Sequence, residues 1–314
     1  MNRRHFPSLD QLDLQLMAEL ESDARQTYQS LAAKLAVNRA TVASKMKRLL
    51  DNNVIKVVCW PDPLALGYEF AVHLAIYAQP ARLTSVADRL AACPQVLNVW
   101  LCTGRFNISA YALFREREEL SAFISNELGP IDGILYVETF GTLEIVKAVA
   151  RLLSDKKELP RLESPQQDLD ELDLRLIREL QSDARQRARS LGRKLGVTET
   201  TVLRRTQRLL NERVIQIRTG INPVAVGYEG SAYIGLKCDP DKVRKVADAV
   251  ASNKQVSYVA ICAGRYDITA FVLFRKMSDL RQFITGELGA IPGLREIETS
   301  FTSKFVKPFD QIPV

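Results

Sequence analysis

Histidine is nearly missing from this sequence: His5 and His73 are the only two in 314 residues. Neither has a second metal-type side chain at ligand spacing, so metal-assisted catalysis and Ser-His-Asp chemistry have little to build on, and no cofactor is expected. His73 reads as a strand residue among apolar neighbours. The five cysteines, Cys59, Cys93, Cys102, Cys238 and Cys262, are an odd number, widely spaced, and never form a CxxC. That argues against a disulfide framework and against structural zinc. No apolar run reaches the roughly eighteen residues that a bilayer crossing needs. The start, Met1-Asn2-Arg3-Arg4-His5, leads into Pro7 and not into an apolar signal core. The expectation is a cytoplasmic protein with no membrane partner. What remains is ordinary globular material, 46% hydrophobic and 25% charged, long enough for two or more domains.

The most informative feature present is an internal repeat. Residues 9–69 align with residues 169–229 at an offset of 160, without gaps, and about half the positions are identical. The same offset carries Gly104-Arg105 onto Gly264-Arg265, Glu127-Leu128-Gly129 onto Glu287-Leu288-Gly289, and Glu138-Thr139 onto Glu298-Thr299. A period this long is a duplicated two-part unit. A polar stretch with Pro160 and Pro165 marks the seam. The division expected is a first head at 1–60, a second part at 61–150, a linker at 151–167, a second head at 168–220 and its second part at 221–314.

Each head reads as three short helices. Leu12, Leu16, Met17 and Leu20 recur at helical spacing after the N-cap Asp10. A short helix over 30–35 and the turn Ala36-Val37-Asn38 lead into a third helix capped by Asn38, with Val42, Met46, Leu49 and Leu50 inward. In the second copy the inward stripe is Val202, Thr206, Leu209 and Leu210, capped by Thr198. Helix, short helix, turn, helix is helix-turn-helix order. The face opposite the stripe carries Arg39, Thr41, Ser44, Lys45, Lys47 and Arg48 in copy one, and Thr200, Thr201, Arg204, Arg205, Gln207 and Arg208 in copy two. Such side chains suit phosphate oxygens and base edges in a major groove. The alternative is a merely solvated charged face. Residues 9–60 hold seven Lys/Arg against six Asp/Glu, and residues 169–220 hold twelve against seven. The two heads therefore carry the chain's whole net charge of +6, mostly in the second. Counterion release scales with phosphates neutralised, so the second head is expected to supply most of any salt-dependent affinity for double-stranded DNA. Different residues at the two helix starts, Arg39 and Ala43 against Glu199 and Leu203, point to unlike half-sites.

The second part of each unit alternates strand and helix in the order βαββαβ, a ferredoxin-like arrangement, so the fold class is α+β. Val99, Leu101 and Leu113, with Val259, Ile261 and Leu273, are read as an apolar open sheet face. Sheet-on-sheet pairing, within the chain or between chains, is the consequence, and a homo-oligomer is expected.

These pieces together resemble the Lrp/AsnC (feast/famine) family of prokaryotic transcriptional regulators, in tandem and over nearly the full length. The matching residues are Leu9-Asp10-Gln11-Leu12-Asp13, Asp23-Ala24-Arg25, Leu31-Ala32, Val42 with Lys45 and Arg48-Leu49, Val54-Ile55, Leu66-Gly67-Tyr68 and the Gly-x-x-Asn/Asp loop. The resemblance implies two winged helix-turn-helix heads, each followed by a ligand-sensing domain, and a regulator that is not an enzyme. It also implies a small-molecule effector, an amino acid or related metabolite, bound near the sheet pairings. The family usually ends its third helix with Gly, where Asn53 and Arg213 stand here.

The expected effector residues are Gly104, Arg105 and Asn107 in the first loop and Gly264, Arg265 and Asp267 in the second, with Thr299, Ser300 and Thr302 on the last strand. Only Asp267 offers an anion to an ammonium, so a zwitterion is expected at the second loop alone. The alternative is that Gly and Asp simply shape a strand turn. A different class of function is also open. Siroheme decarboxylases of haem biosynthesis share this two-part architecture, but rely on histidines and a His-Asn-Tyr type motif that this sequence lacks. A third reading is a sensor that no longer binds DNA and pairs with another regulator.

Overall fold

The computed structural model describes residues 6–148, 152–153, 168–307 and 312–313. His5 and all of the expected linker except Leu152 and Leu153 lie outside the described residues. The first repeat runs α1 (Gln11–Ser22), α2 (Tyr28–Lys34), α3 (Arg39–Asp51), β1 (Ile55–Pro61), β2 (Phe70–Ala78), α4 (Leu83–Ala92), β3 (Val96–Thr103), β4 (Ile108–Phe114), α5 (Arg117–Ala122) and β5 (Ile134–Lys147). The second runs α6 (Glu171–Ser182), α7 (Ala188–Leu195), α8 (Glu199–Asn211), β6 (Ile215–Ile221), β7 (Gly230–Cys238), α9 (Val243–Ala251), β8 (Val256–Ala263), β9 (Ile268–Phe274), α10 (Met277–Gln282) and β10 (Leu294–Lys307). The chain divides into two compact units, one gathering both heads and one gathering both βαββαβ segments. No described helix is long and apolar enough to cross a membrane.

In the head unit, local chemistry starts each helix. The Asp10 carboxylate accepts the Asp13 N–H at 2.8 Å, and the Asp13 carboxylate accepts the Asp10 N–H at 2.9 Å, a reciprocal box that satisfies two orphan donors. Asp170 and Asp173 repeat it at α6. The Asn38 side chain caps α3 through the Thr41 N–H at 2.7 Å, and Thr198 caps α8 through Thr201. Val42, Met46 and Leu49 are buried beneath α3, and Val202 and Leu209 beneath α8, whereas Leu50, Thr206 and Leu210 stop half-buried. The tight turn between α2 and α3 is made by Ala36 at φ 53°, and that between α7 and α8 by Gly196 at φ 73°. Asn53 and Arg213 both adopt the left-handed region after their third helices, at φ 53° and 59°. Arg213 bears a Cβ cost there of about 1 kcal/mol that Asn tolerates better.

β1 and β6 pair antiparallel, Ile55 opposite Ile221 and Cys59 opposite Ile217, so the two heads share one ribbon. Helix α1 packs on β6 and α6 on β1. Each head therefore covers the strand of the other, which buries Ile55, Val57, Ile215 and Ile221. A two-stranded ribbon is marginal by itself, and these crossed helices supply its apolar cover.

In the second unit eight strands close into a barrel in the order β10-β3-β4-β2-β5-β8-β9-β7. The half-order β3-β4-β2-β5 is that of a ferredoxin-like sheet, and the halves join antiparallel through β3–β10 and β5–β8. Sheet pairing is therefore made inside the chain. Closure leaves no edge of these eight strands unpaired. The outer faces carry the helices: Leu74, Ile76, Val99, Ile108 and Ala110 pack with Val86, Leu90 and Phe123, and the second half repeats the arrangement.

The open face differs from the one read in the sequence. Val99 and Val259 belong to the helix-covered cores, with Leu101 and Ile261 packed against them. Register shifts between Val96 and Asn98, and between Val256 and Tyr258, insert an extra residue and reverse the simple alternation. Leu113 and Leu273 are buried, but the inward face is dominated by His73, Trp100, Phe140, Tyr233 and Tyr258. His73 stacks on Tyr233 at 4.3 Å, and its Nε2 lies 2.7 Å from Ser109 Oγ. Burial pulls the imidazole pKa down to about 3, so it is neutral at physiological pH. Two lysines latch the halves. Lys147 Nζ donates to the carbonyls of Ala251 and Asn253, and Lys307 Nζ to those of Cys93 and Val96, so each last strand caps the end of the other half's helix.

Candidate nucleic-acid interface and ligand cavity

The third helices do not present all of their basic residues outward. Lys45 Nζ reaches Asp10 at 2.6 Å and Asp13 at 3.0 Å, and Arg48 pairs with the other Asp13 oxygen. The Asp13 side chain is fully buried. The second head repeats the cluster with Arg205 on Asp170 at 2.6 Å and on Asp173 at 2.9 Å, and Arg208 on Asp173. The Lys45 ammonium, with the Asp13 N–H, holds the Asp10 carboxyl down at about 2, and Arg205 lowers Asp170 in the same way.

The placement of Lys45 and Arg205 on the free outer face is therefore corrected, whereas Arg48 and Arg208 stay part-exposed there but held in ion pairs. Spacing on α3 puts them beside the outer stripe, but their long side chains fold back to neutralise a buried carboxylate on the first helix. Thr41 and Thr201 are also turned to local work, in the N-cap hydrogen bonds of Asn38 and Thr198. Arg39, Ser44 and Lys47 in copy one, and Thr200 and Arg204 in copy two, stand exposed as expected. Lys47 also pairs with Asp51 at 2.7 Å.

The outward surface is thus Arg39, Ala40, Ala43, Ser44 and Lys47 on α3, and Glu199, Thr200, Leu203, Arg204 and Gln207 on α8. A helix surface of about this width fits a major groove. Leu203, read from the sequence as one of the residues at the start of this helix, is 56% exposed. The signal for it was available, because an apolar side chain at an outward position of a helix has no packing reason to be there.

The two Gly-Arg loops are brought close to the last strands, but crosswise. A Cβ on Gly104 would lie 3.2 Å from Ser300 Oγ and 3.4 Å from the Thr299 carbonyl, so the first loop faces β10. A Cβ on Gly264 would lie 3.1 Å from the Thr139 carbonyl, so the second loop faces β5. The expected grouping of Gly264, Arg265 and Asp267 with Thr299, Ser300 and Thr302 is corrected accordingly. The crossing follows from the β3–β10 and β5–β8 junctions, which nothing local encodes. Thr302 Oγ1 is buried without a hydrogen-bond partner.

Asp267 is not an open anion. It accepts the Cys238 N–H at 2.9 Å and the Lys237 ammonium at 3.1 Å. Asn107 does the matching work in the first half, accepting the Ala78 N–H at 2.8 Å and donating to the Ala78 carbonyl at 2.7 Å. Both side chains tie their loop to the end of a neighbouring strand, which favours the turn-shaping reading. Arg105 pairs with Glu138 at 2.9 Å, while Arg265 lies 3.5 Å from Glu298 and 4.0 Å from Glu138.

Beside Arg265 lies a cavity of about 360 Å³ lined by Gly235, Lys237, Tyr266, Glu296, Ile297 and Glu298. Gly235 makes room for the Tyr266 ring at its wall: a Cβ there would meet that ring at 2.6 Å. Burial and the neighbouring Glu298 raise the Tyr266 phenol's pKa, so it remains a hydrogen-bond donor. The repeat-equivalent residues of the first half are Ala75, Tyr77, Phe106, Tyr136, Val137 and Glu138. There Tyr77 stacks on Tyr136 at 5.3 Å, and Phe106 meets Tyr136 edge-on at 6.1 Å. The same place is polar and open in one half and aromatic in the other.

Comparison with known proteins agrees with both units. A family model described as the Lrp/AsnC ligand binding domain matches residues 71–152 and 231–312. Models for an AsnC-type helix-turn-helix domain and a winged helix-turn-helix DNA-binding domain match residues 169–210 and 9–56. An uncharacterized HTH-type transcriptional regulator of Pyrococcus furiosus is 36% identical over 140 residues, which is 44% of this chain and 95% of that relative. An HTH-type transcriptional regulator of Methanocaldococcus jannaschii is 26% identical over 147 residues, 46% of this chain and 99% of its own. Each relative thus has the length of one repeat. Over the whole chain, the crystal structure of the siroheme decarboxylase NirDL is similar with a TM-score of 0.66 at 14% identity, covering 93% of this chain and 91% of that one. At that identity the likeness is one of fold.

Proposed function

Because the chain belongs to the Lrp/AsnC family and is a DNA-binding regulator of the AsnC type, we propose that it is a single-chain equivalent of a dimeric regulator whose operator binding responds to one small zwitterion, an amino acid. The two heads share a ribbon, so tethering holds the second near DNA once the first is bound. The effector's place is the cavity of the second half. Its ammonium would face Glu296 and Glu298, its carboxylate would take the Lys237 N–H donors that Asp267 leaves, and the Tyr266 hydroxyl would orient it. The observation that carries this reading is the asymmetry of the two repeats, one with a lined cavity and one with stacked tyrosines at the equivalent residues. Catalysis is not part of the proposal. His73 is enclosed, neutral and bonded to Ser109, and so is not presented to a substrate.

Isothermal titration of the full chain with a panel of the common amino acids tests the effector. The expected outcome is binding of one or a few of them at one site per chain, weakened about tenfold or more by Lys237→Met or Glu298→Gln, each of which removes a charge-assisted contact. Two equivalent sites per chain, or binding indifferent to both changes, would overturn it.

A further inference from the structure

Leu203 and Arg204 form the most unusual part of the reading surface. Leu203 is 56% exposed on α8, a helix whose other outward residues are polar, and Arg204 beside it is exposed. Arg204 makes no ion pair among the described residues, unlike Arg205 and Arg208 on the same helix. Ala43 and Ser44 occupy the equivalent positions of α3. Beneath both helices a reciprocally capped first helix holds one buried carboxylate with two cations folded onto it. Leu203 and Arg204 differ from their counterparts on the solvent-facing side.

Packing does not account for Leu203. The inward stripe of α8 is Val202 and Leu209, and Leu203 points away from it with more than half its surface in water. It sits in the second turn of α8, one position from Arg204, four from Glu199 and Gln207, and three from Thr200, so all five share one outward face. Among the groups on a major-groove floor, one is apolar, the thymine C5-methyl, and an aliphatic side chain is its ordinary partner. The adjacent guanidinium and the second head's net charge of +5 from residues 169–220 supply the attraction that brings a polyanion to this face. A second protein docking on the same apolar spot would have to desolvate Arg204, and the charge argues against it.

We infer that Leu203 is a specificity residue of the second head, contacting a thymine methyl in that head's half-site, and that Ala43, a single methyl in the equivalent place of the first head, reaches less far and discriminates less. The inference rests on the DNA-binding reading above. It assigns an orientation to the chain on its operator, because the second head depends more strongly on thymine at that position.

The operator sequence need not be known for the test. The full-length protein selects duplexes from a random library at low ionic strength, and the winning duplex is then synthesised with deoxyuridine for thymidine in one half-site at a time. Loss of methyls in one half-site is expected to weaken binding by about fourfold, the worth of one buried methyl-sized group, and loss in the other half-site by less. Leu203→Ala should bind the thymidine duplex about fourfold more weakly and lose the difference between thymidine and deoxyuridine. Leu203→Met, still apolar and unbranched, should keep it. Failure to enrich any duplex would remove the DNA-binding reading itself. Enrichment followed by equal sensitivity of wild type and Leu203→Ala to deoxyuridine, or by no sensitivity in either, would overturn the role of Leu203 while leaving DNA binding intact. Loss of the methyl effect only in the presence of a bound second protein would do the same.

Discussion

The two heads differ in a way that separates what holds a helix in place from what the helix shows to a partner. Beneath α3 and α8 the repeats share one ion cluster, although Met46 in the inner stripe of the first head is replaced by Thr206 in the second. Asp13 with Lys45 and Arg48 is matched by Asp173 with Arg205 and Arg208, the substitution of Arg for Lys keeping the charge. On the outward faces they disagree at every position, Arg39 against Glu199, Ala40 against Thr200, Ala43 against Leu203, Ser44 against Arg204 and Lys47 against Gln207. A buried carboxylate constrains its cation partners, because losing both would leave its charge without compensation in a dry site. A solvent-facing residue has no such constraint, so it is free to be set by whatever lies outside the molecule. The barrel follows the same pattern. Lys147 and Lys307 do identical jobs on helix ends, while the lining near Tyr136 and Glu296 has diverged.

The largest expected effect attacks the shared part. Asp173→Ala should destabilise the head unit by about 1 to 3 kcal/mol, because it removes the reciprocal cap on Asp170 and the buried anion that Arg205 and Arg208 share, although Arg205 keeps Asp170. Asp13→Ala should cost a similar amount, and chemical denaturation followed by circular dichroism reads both. A clear inequality between the two would mean that the clusters are not equivalent after all.

A smaller effect tests the divergent part. Arg204→Ser should weaken DNA binding by about tenfold at low salt and reduce the slope of log affinity against log salt by about 1. Ser44→Arg should move both quantities the other way. Fluorescence anisotropy across a salt series measures them, and unchanged slopes would show that the second head does not dominate the electrostatics. Arg205, Lys45 and Arg48 are unsuitable for this comparison, since their loss disturbs the ion clusters.

The smallest effect concerns the helix ends. Arg213→Gly should stabilise the second head by about 1 kcal/mol, because glycine adopts φ 59° without the Cβ penalty, and Asn53→Gly should gain only a few tenths. Thermal melting of each variant checks the difference, and equal gains would show that tertiary contacts already absorb the strain at Arg213.

The candidate site was only partly legible in the sequence. Helical spacing finds the outward Arg39, Ser44, Lys47, Thr200 and Arg204, because spacing fixes which way a Cβ points. Spacing says little about where a long side chain ends. Lys45 and Arg205 leave α3 and α8 near the outer stripe and finish on carboxylates of α1 and α6, some thirty residues earlier in the chain. At the loops, the Gly-x-x-Asn/Asp pattern located the turns correctly. Its acid nevertheless serves a strand end, because a carboxylate next to an exposed N–H of β7 finds a partner nearer than any ligand.

Order along the chain was sufficient to determine the repeats, the helix starts at Asp10, Asn38 and Thr198, the helix-turn-helix pattern and the βαββαβ succession. All of these depend on contacts within a few residues or on a period that can be counted. Three things were decided only by the folded chain: the crossing of β1 with β6, the closing of two sheets into one barrel, and the pairing of each Gly-Arg loop with the other repeat's last strand. Each joins segments more than a hundred residues apart, and two equivalent repeats offer like and unlike partners with the same local signals. The choice falls to shape and volume at the junction, where His73 meets Tyr233 and Lys147 finds the carbonyls of Ala251 and Asn253.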